Sequence, residues 1–179
     1  RIQKEQDIQV KPWKNNDYDN SQYILLLLQN PIDTSLNPLI ERGEKYDDWI
    51  IKTIRQIRNI SSKKIRVRLH PRFLDRFNKE KLVEENVEIS NNYAGWNKSN
   101  GGQSLYDDFS KAWACVTFSS NAATEAVCEG IPVINLDNSS FSWPVSYHNL
   151  DVLNNLSLEC DFDRTQWLND CAYTQWTLE

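Results

Sequence analysis

The residues of this chain best suited to act on a phosphorylated or hydroxylated ligand fall in three short segments. The first is His70-Pro71, with Arg72 beside it. A histidine at the end of an extended stretch can donate a hydrogen bond or a positive charge to an anion, or move a proton. The proline after it sets the chain's exit and removes a competing N–H. The alternative is a loop histidine that only satisfies backbone groups. The second segment is Ser119-Ser120-Asn121, at a strand-to-helix junction, with Glu125 a few residues further on and Glu129 just before Gly130. Two hydroxyls, several free N–H groups and the positive end of a helix meet there, a chemistry suited to phosphate. Plain helix capping would need only one of these side chains. Ala122 and Ala123 are small enough to let a ligand approach the first turn. A carboxylate at Glu125, on the second turn, could accept both hydroxyls of a ribose, whereas Glu129 reads as a solvent-exposed acid. The third segment, DNSSFSWPVSYH from Asp137 to His148, combines hydrogen-bonding groups with aromatic rings and is too long for a bare connector. It is a binding loop or an aromatic-anchored surface loop.

These segments need rigid elements to hold them. In SQYILLLLQNP the continuous apolar run from Tyr23, stopped at Asn30-Pro31, predicts a strand buried on both faces, as in a parallel sheet. Residues 32–42, rich in Asn, Pro and Ser, read as a loop. Between residues 44 and 60, Tyr46, Trp49, Ile50, Ile54 and Ile57 recur at helical intervals and predict an amphipathic helix. KKIRVRLHP alternates as a strand and ends at His70-Pro71. A helix around Phe73 to Glu84 follows, then a short strand from Val87 to Ser90, a Gly/Asn loop over 91–102 and a brief helix in QSLYDDFSKAW. ACVTF is a strand, SSNAATEAVCEG a helix, IPVINL a strand, and the stretch around Arg164 to Tyr173 is helical again. Strands alternating with helices imply an α/β, Rossmann-like three-layer sandwich with a mostly parallel sheet. Ligands of such sheets sit outside the carboxyl ends of the strands, where all three segments fall. The expected organisation is a linker or leading arm over 1–20, the Rossmann-like domain over 21–150 and a helical extension over 151–179.

The order of these motifs is informative. A strand running into His-Pro, a strand running into Ser-Ser and a helix with Glu, then Gly-x-Pro-Val and a strand together resemble the C-terminal half of GT-B glycosyltransferases. The pattern is similar to that of the bacterial sialyltransferase, capsule Kdo-transferase and polyglycerol-phosphate polymerase group, over about residues 23–150. The resemblance implies that His70-Pro71 and Ser119-Ser120 face the phosphates of a nucleotide-sugar donor, CMP-, UDP- or GDP-linked, with His70 as the catalytic residue. Asn121, Arg72 and Asp137 would join the donor site. The stretch TEAVCEGIPVINL also resembles the ribose-contacting helix shared by many GT-B enzymes and by non-hydrolysing UDP-N-acetylglucosamine 2-epimerases, which implies that Glu125 takes the ribose hydroxyls. Neither a metal nor a resident cofactor is implied, and no Asp-x-Asp motif is present. The catalytic base is not marked; Asp107, Asp108 and Asp137 read as solvated acids or a helix cap. The alternatives are a sugar-nucleotide 2-epimerase built on the same donor half, or a non-catalytic binding module that retains the fold.

Composition bounds the rest. The 179 residues suit one domain. A net charge of −5 disfavours wholesale electrostatic binding to nucleic acid or to an anionic membrane. The longest apolar run is far shorter than the ~20 residues of a membrane span. Cys115, Cys128, Cys160 and Cys171 show neither C-x-x-C spacing nor a His at zinc spacing, and read as idle thiols of a reducing, cytoplasmic compartment. The chain starts at Arg1 and contains no Met, so a second Rossmann-like domain that presents the acceptor is expected ahead of it. Abundant Asn and Lys with few Gly point to an AT-rich genome, bacterial or phage. The acceptor would then be a glycan, as in polysaccharide biosynthesis, or a modified DNA base.

Overall fold

The computed structural model describes residues 9–14, 22–92, 102–156 and 161–174. Its centre is a sheet of five parallel strands in the order β3-β2-β1-β4-β5. The strands are β1 (Tyr23–Leu27), β2 (Lys64–Arg68), β3 (Glu88–Ile89), β4 (Ala112–Thr117) and β5 (Val133–Asn135). The chain builds outward from β1 to β3, returns across the sheet, and adds β4 and β5 on the other side of β1. The strand order therefore reverses between β1 and β4, and the crevice at their carboxyl ends is where such sheets take ligands.

The continuous apolar character of β1 follows from this central position. Ile24 and Leu26 face one layer, where α2 (Tyr46–Ile60) buries Trp49, Ile50, Ile54 and Ile57. Tyr23, Leu25 and Leu27 face the other, against α4 (Leu105–Lys111), α5 (Ala122–Cys128) and α6 (Arg164–Thr174). Each fully buried aliphatic side chain contributes about 1.5–3 kcal/mol, so a strand buried on both faces is a large share of the core. The acids Asp47 and Asp48 in the first turn of α2 and Arg58 in its last complement the helix dipole. Trp167 and Leu168 of α6 belong to the same cluster as Tyr23 and Val127, so α6 packs into the core of the domain.

Two local expectations are corrected. Residues 32–42 do not form an irregular loop: a 3-10 turn, Thr34–Leu36, leads into α1 (Asn37–Glu41). Asp33 caps the turn by accepting the Ser35 N–H, and Pro38 sits in the first turn of α1, where its missing N–H costs nothing. Leu36 and Leu39 bury themselves in the core and hold the segment. The helix expected from Phe73 to Glu84 is broken into a 3-10 turn, Leu74–Arg76, and α3 (Lys79–Glu84). Phe77 is extended between them, and Asn78 caps α3 by accepting from Lys81 N–H at 3.1 Å. Most of the loop expected over 91–102 and Cys160 lie outside the described residues.

Of the leading arm, residues 9–14 are described, and they are held against the domain. Lys11 N–H donates to Cys128 O and Lys14 N–H to Gly130 O, both at 2.8 Å. Trp13 stacks under the Arg164 guanidinium, 3.6 Å from the ring centroid. Gly130 has φ +77°, and a Cβ there would stand 2.0 Å from Pro12 O, so only glycine suits this crossing. Glu129 is half-buried rather than solvated, because it pairs with Lys11 at 2.6 Å.

Candidate functional site

At the carboxyl ends of β1, β2 and β4 lies a cleft of about 500 Å³, whose lining includes Gln29, Arg68, His70, Ser119, Ser120 and Glu125. Segments widely separated in sequence therefore converge on one side of the sheet. Asn121 also lines the cleft, exposed and with its side chain uninvolved in capping.

The turn from β4 into α5 is tightly bonded. Gln29, directly after β1, accepts on Oε1 the Ser119 N–H at 3.0 Å and the Ser119 hydroxyl at 3.2 Å, and donates from Nε2 to Ser119 Oγ at 3.1 Å. Its Nε2 also donates to Ser35 Oγ at 2.5 Å. Thr117 Oγ1 accepts the Ser120 N–H at 3.1 Å while donating to Leu27 O at 2.8 Å. Ser120 Oγ, one residue ahead of the N-cap Asn121, accepts from Ala122 N–H at 3.4 Å. This corrects the expectation of several free N–H groups at the junction, since those of Ser119, Ser120 and Ala122 are occupied. The helix is also short, at 7 residues. What the turn can offer a ligand is mainly the pair of hydroxyls and the Asn121 side chain.

His70 follows β2 and is half-buried. Its Nδ1 accepts the Arg72 N–H at 3.3 Å, which in the neutral ring leaves the proton on Nε2. Burial, and next the Arg72 guanidinium, hold its pKa below the usual imidazole range, with Asp33 pulling the other way. His70 is thus a neutral hydrogen-bond donor near pH 7. Arg72 itself is exposed and lies outside the cleft lining, so its reach to the site is through the field it exerts on His70.

Glu125 is exposed on the rim of the cleft, beside Tyr106. Burial, reinforced by Glu125, raises the Tyr106 pKa. Asp137 is not brought into the lining: its Oδ1 closes a turn by accepting from Ser139 N at 3.0 Å and Ser139 Oγ at 2.6 Å. The loop it opens is ordered by backbone pairing, Asn135 N–H to Tyr147 O and Tyr147 N–H to Val133 O. Trp143 and His148 stack at 3.5 Å with 4° between their planes, and His148 Nε2 lies 3.0 Å from Trp143 O, so both rings serve the loop itself. Of this segment, Ser139 and Phe141 reach the cleft.

Gln29 and Arg68 were missed by the motif reading. Gln29 had a positional signal, as the polar residue directly after the central strand. Arg68 had a subtler one, since two arginines on a strand of an inner sheet demand a buried acid. That acid is Asp108, fully buried, which corrects its reading as a solvated group or helix cap. Asp108 bonds Arg66 at 3.0 Å, Arg68, and Ser90 Oγ at 2.6 Å. Tyr23 completes the network by donating to Asp108 O at 2.7 Å and accepting from Arg66 at 2.9 Å. Burial pushes the Tyr23 phenol up to about 12, against the pull of Arg66. Asp107 does act as a cap, pairing reciprocally with Ser104.

Among the described residues no group of three or more His, Cys, Asp or Glu is placed to hold a metal ion, and no helix is long and apolar enough to cross a membrane. No protein-family model, curated protein or solved structure matches the chain. What fold and site define is a Rossmann-like α/β domain with a cleft at its topological switch point.

Proposed function

We propose that the chain is the donor-binding half of a GT-B glycosyltransferase, which transfers a sugar from a nucleotide-activated donor to a hydroxyl of a glycan or another acceptor. The observation that carries this reading is the meeting of His70, Ser119, Ser120 and Glu125 in one cleft at the point where the strand order reverses. Each motif alone has a local explanation; their convergence supports a shared ligand with phosphate and hydroxyl groups.

In this reading the Ser119 and Ser120 hydroxyls and the Asn121 amide donate to phosphate oxygens. His70 adds the Nε2–H of its neutral ring. As the sugar–oxygen bond breaks, the electron pair stays on the phosphate oxygen, and donors aimed at that oxygen gain strength as its charge grows. One well-placed donor of this type contributes ~2–4 kcal/mol to the barrier. Glu125, on the rim of the cleft beside Tyr106, takes the ribose hydroxyls. Arg72 tunes His70 rather than touching the donor, and Asp137 shapes the loop. The acceptor and its base would come from a second domain.

Titration calorimetry with CMP, UDP and GDP tests the donor site, and at least one should bind. The Ser119→Ala/Ser120→Ala double variant should keep its circular dichroism and bind that nucleotide at least tenfold more weakly. Absence of binding for all three, to this chain and to any longer form of the protein, removes the proposal.

A further inference from the structure

Most large apolar side chains of this domain are buried, but Tyr106 at 54% exposure and Phe141 at 65% stand open, and both line the cleft. Neither is a loose surface ring. The residues flanking Phe141, Ser140 and Ser142, are buried and hydrogen-bonded to each other, Ser140 Oγ to Ser142 Oγ at 3.1 Å. The Phe141 carbonyl accepts from the Trp167 indole N–H at 3.0 Å, which ties this turn to α6. The backbone is thus locked on both sides while the phenyl ring is left in the cleft mouth. Tyr106 rides on a helix closed by a reciprocal cap, rests edge-on against buried Phe109 at 6.0 Å and 87°, and stands with Glu125 in the cleft lining. Exposed aromatic faces cost hydration free energy, and rigid ones lose little entropy when a ligand covers them.

We infer that Tyr106 and Phe141 are the stacking surfaces for a planar heteroaromatic ring, the base of the nucleotide. This rests on the nucleotide reading of the cleft and adds the placement of its base. The chemical connectivity of a nucleoside supports it: the base is attached at the carbon next to the 2′-hydroxyl. A ribose whose hydroxyls sit on Glu125 therefore carries its base within reach of Tyr106, the ring beside Glu125 in the cleft lining. Stacking of this kind tolerates any base, because every base has a π face.

The experiment compares UMP, CMP, GMP and ribose 5-phosphate on the full 179-residue chain by calorimetry. Phe141→Ala and Tyr106→Ala should each weaken the best-bound nucleotide about tenfold and leave ribose 5-phosphate unchanged. Phe141→Trp should retain binding, and Tyr106→Phe should keep the difference between nucleotide and ribose 5-phosphate. Equal loss for nucleotide and ribose 5-phosphate overturns the base assignment, because the rings would then contact the sugar phosphate. Unchanged nucleotide affinity in Phe141→Ala and Tyr106→Ala, with or without altered self-association, overturns it while leaving the nucleotide reading intact. If neither the unsubstituted chain nor any longer form of the protein binds these nucleotides, UDP or GDP, the nucleotide reading fails and takes this inference with it.

Discussion

Gln29 and Ser119, on the turns that leave the two strands flanking the switch point, are joined through both ends of one side-chain amide. Oε1 takes the Ser119 N–H at 3.0 Å and Nε2 reaches its Oγ at 3.1 Å. The Ser119 hydroxyl also donates to Oε1 at 3.2 Å, so it must leave that bond to donate to an incoming anion. Gln29 is almost fully buried, so the pair also seals the floor of the cleft.

Replacing Gln29 separates these two roles. Gln29→Met strands the buried Ser119 N–H and should cost about 1–3 kcal/mol of stability in urea denaturation. Gln29→Glu keeps an acceptor for that N–H but adds negative charge and loses the Nε2 donor. It should weaken nucleotide binding more than the Met variant does, and the reverse order would remove Gln29 from the anion site.

His70 should titrate below about 6.5 by NMR, with His70→Gln identifying its signal from the second histidine. Between the lowered native pKa and the ordinary unfolded one, the unfolded chain binds more protons. Stability therefore rises with pH through that window and falls as acid is added. His70→Gln should flatten this dependence. Arg72→Ala should move the midpoint upward but keep it below the ordinary value, since burial is the larger cause.

Removing Asp108 leaves two arginine heads with little exposure and no inner acid. Asp108→Ala should lose about 3–5 kcal/mol in chemical denaturation. The outer partner of Arg66, Glu88, is 49% exposed, and Glu88→Ala should cost less than about 1 kcal/mol. Similar losses for the two variants would show that burial does not set the strength of this network.

At Gly130, alanine meets both a left-handed backbone and the Pro12 carbonyl. Gly130→Ala should lower stability by about 1–2 kcal/mol from the backbone alone. It should also release the leading arm, seen as faster trypsin cleavage after Lys14. Unchanged cleavage would mean that the arm is held chiefly through Trp13 and Arg164.

Much of the architecture was legible because its signals are local. The apolar run at Tyr23, the helical spacing from Trp49 to Ile57 and the alternation ending at His70 each report burial of nearby residues. Together they specify a parallel α/β sheet and which residues stand at its carboxyl edge. The segment over 34–41 was misread because Asn, Pro and Ser favour loops, and burial of Leu36 and Leu39 overrode that preference. The helix over 73–84 was overextended for the opposite reason: its spacing continued through Phe77, but the Asn78 cap broke it.

By itself, then, the sequence determined the elements, the class of sheet and the positions of His70, Ser119 and Glu125 at strand ends, since these follow from periodicity and chain order. Tertiary structure decided which groups are spent and which remain available. Gln29 occupies the Ser119 N–H, Asp108 is buried between Arg66 and Arg68, Asp137 turns onto Ser139, and Phe141 opens into the cleft. Three-dimensional packing brings together polar partners far apart in the chain, such as Gln29 and Ser119, and it alone sets which side chains are shielded from water.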